Sequence, residues 1–251
     1  MNALTAEHYL LTIKLRRDKV ESFEKYPFSL PVVRSLESVE LHPAVTFFVG
    51  ENGSGKSTLL EAVAVAWGFN PEGGTRNFRF QTRGSHSSLH EYLRLVKSVK
   101  RARDGFFLRA ESLFNVASEI EHLDDAPSFG PPIINSYGFR SLHEQSHGES
   151  FFAVMMNRFG GHGLYVLDEP EAALSPSRQL AMLVRIHELV GKRSQFVIAT
   201  HSPILMAYPN AWIYQITSTG LQRVRLEDTE HFAVAKRFLN DPHGQLARLL
   251  V

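Results

Sequence analysis

Gly50-Glu51-Asn52-Gly53-Ser54-Gly55-Lys56-Ser57-Thr58 matches G-x-x-x-x-G-K-[ST] at every fixed position. In such a loop the glycines let the backbone turn so that successive N–H groups face inward and make a concave anion site. Lys56 adds a cation near the β- and γ-phosphates, and the Ser57 hydroxyl reaches Mg²⁺. The helix that follows aims its positive end at the same phosphates. The motif requires a strand before it and a helix after it. Val45 to Val49 is an almost unbroken apolar run rich in β-formers, as in a strand buried on both faces. Leu59, Leu60, Val63, Ala64 and Trp67 then recur at helical spacing until Gly68 and Pro71 stop the helix. Gly50, Asn52, Gly53, Ser54, Gly55, Lys56, Ser57 and Thr58 are therefore the predicted phosphate-binding residues.

Composition narrows the class of protein around that loop. The 251 residues suit one large α/β domain or two small ones, and 43% hydrophobic with 11% aromatic residues supports a substantial core. A formal net charge of +1 leaves any nucleic-acid contact to a local patch. Lys97, Lys100, Arg101 and Arg103, with Arg76, Arg79 and Arg83 before them, are the candidates, but no aromatic stacking motif accompanies them. The absence of cysteine removes disulfides, thiolate nucleophiles and Cys-based zinc sites, and suits the cytoplasm. The N-terminus lacks a signal-peptide pattern and no apolar run is long enough to insert in a membrane.

Outside the loop the pattern predicts an α/β P-loop fold. It has a mostly parallel sheet, an N-terminal antiparallel layer and an inserted helical subdomain at about 70–150, all within one domain spanning 1–251. Tyr9 to Leu15, Phe28 to Val33 and Leu36 to Leu41 read as the antiparallel strands. Leu89 to about Arg103 and Glu111 to Leu123 read as helices of the insertion. Beyond Gly163 strands and helices alternate again, with strands at Leu164 to Leu167, Gln195 to Thr200, Ala211 to Ile216 and Leu221 to Leu226. Helices are expected after Ser175-Pro176 and over Phe232 to Leu239.

Two strand ends supply candidate chemistry. Leu164-Tyr165-Val166-Leu167 runs into Asp168-Glu169, which places two carboxylates at the carboxyl edge of the sheet, where open α/β sheets bind ligands. Asp168 is expected to hold Mg²⁺ and Glu169 to polarise the attacking water. Phe196-Val197-Ile198-Ala199 ends in Thr200-His201, which puts an imidazole on the same edge within reach of the γ-phosphate or the water. A third site is a helix start: Ser146 and Gly148 precede Phe151, Phe152, Met155, Met156 and Phe159 at helical spacing, a serine-capped anion site.

In this order the motifs resemble the ATP-binding-cassette superfamily of P-loop ATPases. The resemblance is to its soluble branch of DNA-repair, chromosome-maintenance and bacterial-defence enzymes, and within that branch to small stand-alone bacterial ATPases of AAA type. Those share Leu-Asp-Glu-Pro-Glu-Ala-Ala-Leu-Ser-Pro (167–176) and Ala-Thr-His-Ser-Pro-Ile-Leu (199–205). The family's Leu-Ser-Gly-Gly-Gln signature is similar to Gln145-Ser146-His147-Gly148-Glu149, with His147 in place of a glycine. Its Ser-Ala-Leu-Asp loop is Ala172-Ala173-Leu174-Ser175, with Ser175 in place of the aspartate. The resemblance implies ATP and Mg²⁺ as cofactors, and Lys56, Glu169 and His201 as catalytic residues. It also implies Ser57 and Asp168 as metal ligands, a metal-sensing glutamine for which Gln81 is the candidate, and Ser146, Gly148 and Glu149 as γ-phosphate contacts offered to a second subunit. The implied activity is ATP hydrolysis by an ATP-dependent homodimer that drives change in an effector protein. An ATP-binding subunit of a membrane transporter and a switch that binds ATP without turnover are the alternative readings.

Overall fold

A computed structural model describes residues 8–78, 87–125, 130–218 and 220–250. The elements in chain order are β1 (Leu10–Leu15), α1 (Pro31–Arg34), β2 (Ser38–Glu40), β3 (Val45–Gly50), α2 (Lys56–Trp67), α3 (Leu89–Tyr92), β4 (Leu93–Lys97), β5 (Asp104–Arg109) and α4 (Leu113–Asp125). They continue with α5 (His147–Ala153), β6 (Gly163–Asp168), α6 (Pro176–Gly191), β7 (Gln195–Ala199), α7 (Pro203–Met206), β8 (Trp212–Thr217), β9 (Gly220–Val224), α8 (Glu230–Asn240) and α9 (Pro242–Leu249). The main sheet has the order β5-β6-β7-β3-β8-β9, parallel except for β9, and a second antiparallel sheet has the order β2-β1-β4.

The main sheet buries both faces, and the period-2 alternation of its strands assigns residues to two cores. On one side Phe47, Phe106, Tyr165, Phe196 and Ile198 pack with Met182, Ile186 and Leu189 of α6. On the other, Phe48, Phe107, Val166 and Val197 pack with Leu59, Leu60 and Val63 of α2 and with β1. Gln195 joins the two sheets. Its buried side chain accepts from Tyr9 N (3.2 Å) and Leu10 N (2.9 Å), and donates to Leu10 O (2.8 Å) and His42 O (3.1 Å).

Three expectations are corrected. Phe28 to Val33 is not a strand: Pro31 opens the short α1, and Val32 N donates to Ser54 O (3.2 Å) beneath the phosphate loop. The helix expected from Leu89 to Arg103 stops at Tyr92. From Leu93 the chain pairs with the free edge of β1 (Leu95 opposite Ile13), so a tertiary partner overrides local helical spacing. The stretch 70–150 is also not an all-helical insertion, because β4 completes the antiparallel layer and β5 is the edge strand of the main sheet. The arm proper starts at α4.

Candidate nucleotide site

Parallel register gathers the site at one edge. Arg109 lies opposite Asp168, Asp168 opposite Ala199, and Ala199 opposite Phe48, two residues before Gly50. The last residues of four adjacent strands thus share one rim with the phosphate loop. A cavity of about 370 Å³ opens there, lined by Gly50, Asn52, Gly53, Ser54, Thr217 and His231 among others.

The loop is braced from behind. Gly55 has a left-handed backbone (φ 94°), and a Cβ there would come within 2.8 Å of Val32 Cγ1, so both conformation and space demand glycine. Lys56 opens α2 and is 4% exposed; its Nζ donates to Gly50 O (2.9 Å) and Glu51 O (3.0 Å). Burial lowers its pKa from the usual lysine value, against the opposing pull of Glu169, Asp168 and Glu171.

Asp168 is 5% exposed, and burial pushes its carboxyl up to about 6 although Arg109 and the Ser57 hydroxyl favour the anion. Arg109 Nε is 3.3 Å from its Oδ2, and Arg109 Nη1 bonds Glu61 of α2 at 2.9 Å. Asp168 Oδ1 is buried with no hydrogen-bond partner. A buried, unsatisfied carboxylate oxygen beside a serine hydroxyl is a hard-oxygen donor set that fits Mg²⁺, which typically takes one or two carboxylates and substrate phosphates. Among the described residues no cluster of three or more His, Cys, Asp or Glu forms an all-protein metal centre.

Glu169 follows in a left-handed conformation (φ 48°, ψ 52°), uncommon for a residue with a side chain, held by its N–H to Ala199 O at 3.0 Å. This turn brings Glu169 Oε1 to 3.4 Å from His201 Nε2. The His201 backbone N–H donates to the carboxylate of Glu171, whose pKa is raised by burial despite that bond. His201 Nδ1 contacts His231 Nε2 at 2.9 Å.

Ser146 and Glu149 form a capping box at the start of α5. The Ser146 amide (3.0 Å) and hydroxyl (2.7 Å) both donate to Glu149 Oε2, which keeps that carboxyl below the ordinary range. Gly148 packs on the segment after Glu169, where a Cβ would stand 2.4 Å from Ala173 O. Ser146 and Glu149 bond each other, Glu149 also pairs with Arg178, and no described bond joins them to the phosphate loop of their own chain. Gln81 lies outside the described residues.

The site therefore brings together Lys56, Ser57, Asp168, Glu169 and His201, and adds Arg109, Glu61, Glu171 and His231, which sequence reasoning missed. Arg109 was signalled by the same rule as Asp168, an apolar run (Phe106 to Leu108) ending in a charge. Glu61 lies one helical turn beyond Ser57. Nothing local pointed to His231.

Residues 19–116 match the family model of the AAA domain. Over 73 residues the chain is 40% identical to the DNA replication and repair protein RecF of Colwellia psychrerythraea (strain 34H). The match covers 28% of this chain and only 18% of that relative. Among solved structures, a nucleotide-free ATP-binding cassette from an ABC transporter is similar at a TM-score of 0.52 and 18% identity, over 93% of this chain and 96% of that one. An ATP-binding cassette of an ABC transporter in its ADP conformation gives 0.51 and 18%, over 91% and 98%. No helix among the described residues is long and apolar enough to cross a membrane. The chain thus has the fold of the ATP-binding cassettes of ABC transporters, and over residues 19–116 it is similar to the AAA domain.

Proposed function

We propose that this domain binds Mg·ATP, dimerises around it, hydrolyses it and passes the resulting conformational change to an effector protein of the DNA-repair or defence type. The observation that carries the reading is the buried, unpartnered Asp168 Oδ1 beside Ser57, on the rim that also holds Lys56, Glu169 and His201. On binding, Lys56 Nζ exchanges its bonds to Gly50 O and Glu51 O for charge-assisted bonds to phosphate oxygens. Ser57 and Asp168 would hold the metal, which when bound neutralises charge on the β- and γ-phosphates. Glu169 accepts a proton from water as the water attacks the γ-phosphorus, and the bond to the β–γ bridging oxygen breaks to leave ADP and phosphate. His201 donates from Nε2 to a γ-phosphate oxygen.

One chain covers the phosphates from one side. The second face in this reading is α5 of another copy, with Ser146, Gly148 and Glu149 docking on the γ-phosphate across a two-fold axis. The nature of the effector rests on the likeness to RecF and on the motif resemblance. Glu169→Gln should keep ATP affinity and cut turnover by roughly 10²–10⁴. With Mg·ATP the same variant should form dimers by light scattering, and Ser146→Arg should block them. Turnover by Glu169→Gln at the wild-type rate would reassign the base. Tight ATP binding without dimers at tens of micromolar would remove the homodimer.

A further inference from the structure

Helix α8 delivers a side chain to this site from thirty residues beyond His201. His231 is the second residue of α8, placed by Thr229, whose fully buried side chain accepts from Phe232 N (3.4 Å) and donates to Leu226 O (2.7 Å). Its ring lines the phosphate-loop cavity with Gly50, Asn52 and Gly53, and its Nε2 lies 2.9 Å from His201 Nδ1. The ring centroids are 5.1 Å apart at 55°, so the contact is an edge-on N–H···N bond rather than a stack.

Two neutral imidazoles at that distance share one proton, and its owner follows from the other side of the His201 ring. Nε2 there faces the Glu169 carboxylate at 3.4 Å and has no other partner. A neutral imidazole has a single N–H, and the neighbouring anion favours that N–H on Nε2. Nδ1 of His201 then carries the lone pair, so the shared proton belongs to His231 Nε2. The reverse arrangement would turn a lone pair of His201 toward a carboxylate and leave the ring unable to donate to a phosphate oxygen. Burial lowers the pKa of both rings, as does the nearby Lys56, which favours the neutral pair. The tautomer of one histidine is set here by the bond its other nitrogen makes.

We propose that His231 is a positioning residue for hydrolysis: its Nε2–H bond to His201 Nδ1 holds His201 in the Nε2–H tautomer that donates to the γ-phosphate, which makes the placement of α8 part of the catalytic site. The inference rests on the hydrolytic reading above, so its test has one arm that needs no turnover. Long-range ¹H–¹⁵N spectra of the histidine-labelled, nucleotide-free chain, assigned with His201→Gln, should show His201 protonated on Nε2 and accepting at Nδ1. In His231→Phe the accepting signature at Nδ1 should disappear. Turnover of His231→Phe should fall roughly 10–100-fold in kcat, the scale of a misplaced catalytic group, with KM for ATP changed less than about threefold. His231→Gln, which retains a terminal N–H donor, should recover most of the loss. A wild-type His201 protonated on Nδ1, or a folded His231→Phe with wild-type kcat, overturns the proposal. Should His231→Phe not fold, the wild-type spectrum and His231→Gln decide it alone. A chain with the expected tautomer but no ATP turnover would refute the hydrolytic reading and leave the histidine pair standing.

Discussion

Replacing Asp104 with Asn should loosen the edge strand β5 from β6 and from the segment that follows α5. Asp104 opens β5, and its carboxylate collects two donors from the segment between α5 and β6 and a third from β6 itself. Oδ1 accepts from Arg158 (2.9 Å), and Oδ2 accepts from Gly160 N (3.0 Å) and the Tyr165 hydroxyl (2.7 Å). Both charged side chains are largely buried, 17% exposed for Asp104 and 23% for Arg158. Burial alone would raise the Asp104 pKa, but the Gly160, Tyr165 and Arg158 interactions outweigh it, and the carboxyl titrates below its ordinary value. Breaking a buried pair by removing one charge costs about 3–5 kcal/mol. Asn keeps one acceptor oxygen, so about 3 kcal/mol is the expected loss, near that of a charge-assisted bond. For a chain of this size that is a fall of about 6–12 °C in Tm. Because the folded pKa lies below the unfolded one, the increment is fully present above the unfolded value of about 3.9 and disappears as pH falls through the folded one. Urea unfolding of wild type and Asp104→Asn should therefore differ most at pH 7 and converge at the acid end. A difference under about 1 kcal/mol at pH 7, or one that stays constant down to pH 3, would refute the reasoning.

Lys56→Ala should abolish ATP binding measured by calorimetry, since the loop loses its buried ammonium; unchanged affinity would remove the phosphate site. Gly148→Ala should cost about 1–3 kcal/mol by overpacking against Ala173 O, and equal thermal stability would show that the segment after Glu169 moves aside freely. Gln195→Leu strips partners from four backbone groups of Tyr9, Leu10 and His42 and should cost at least about 3 kcal/mol in urea unfolding. A loss below about 1 kcal/mol would mean that those groups find other partners.

The features legible in the sequence are those whose physics is local. The phosphate loop, its flanking β3 and α2, and the acids ending β6 lie within a few residues of the apolar runs that position them. His201 is legible for the same reason, directly after β7. β4 is not, because Leu89, Leu93 and Val96 suit a helix as well as a strand, and the free edge of β1 decides between them. β5 is a short Gly-Phe-Phe-Leu run between the two helices expected in that stretch; its apolar run ending in a charge hints at a strand, and pairing with β6 identifies it. Arg109, Gln195 and His231 act across 59, 185 and 30 residues, on Asp168, Leu10 and His201, distances at which spacing carries no signal.

Strand β5 supplies a counter-charge to the carboxylate proposed to hold the metal. Because β5 is parallel to β6 and in register with it, Arg109 necessarily ends beside Asp168. Its guanidinium also bonds Glu61, so its charge is shared between a carboxylate of α2 and the one that would hold Mg²⁺. Without nucleotide this arrangement makes a buried Asp168 tolerable, since an unpaired buried carboxylate would otherwise be driven further toward its neutral form. If Asp168 Oδ1 held a divalent ion, Arg109 would keep Glu61 as a partner at 2.9 Å and could give up the weaker contact at 3.3 Å without being left uncompensated. The Glu61–Arg109–Asp168 chain would thus keep the buried site compensated with or without a metal ion. At its other end β5 is tied through Asp104 to Arg158, in the segment that follows α5.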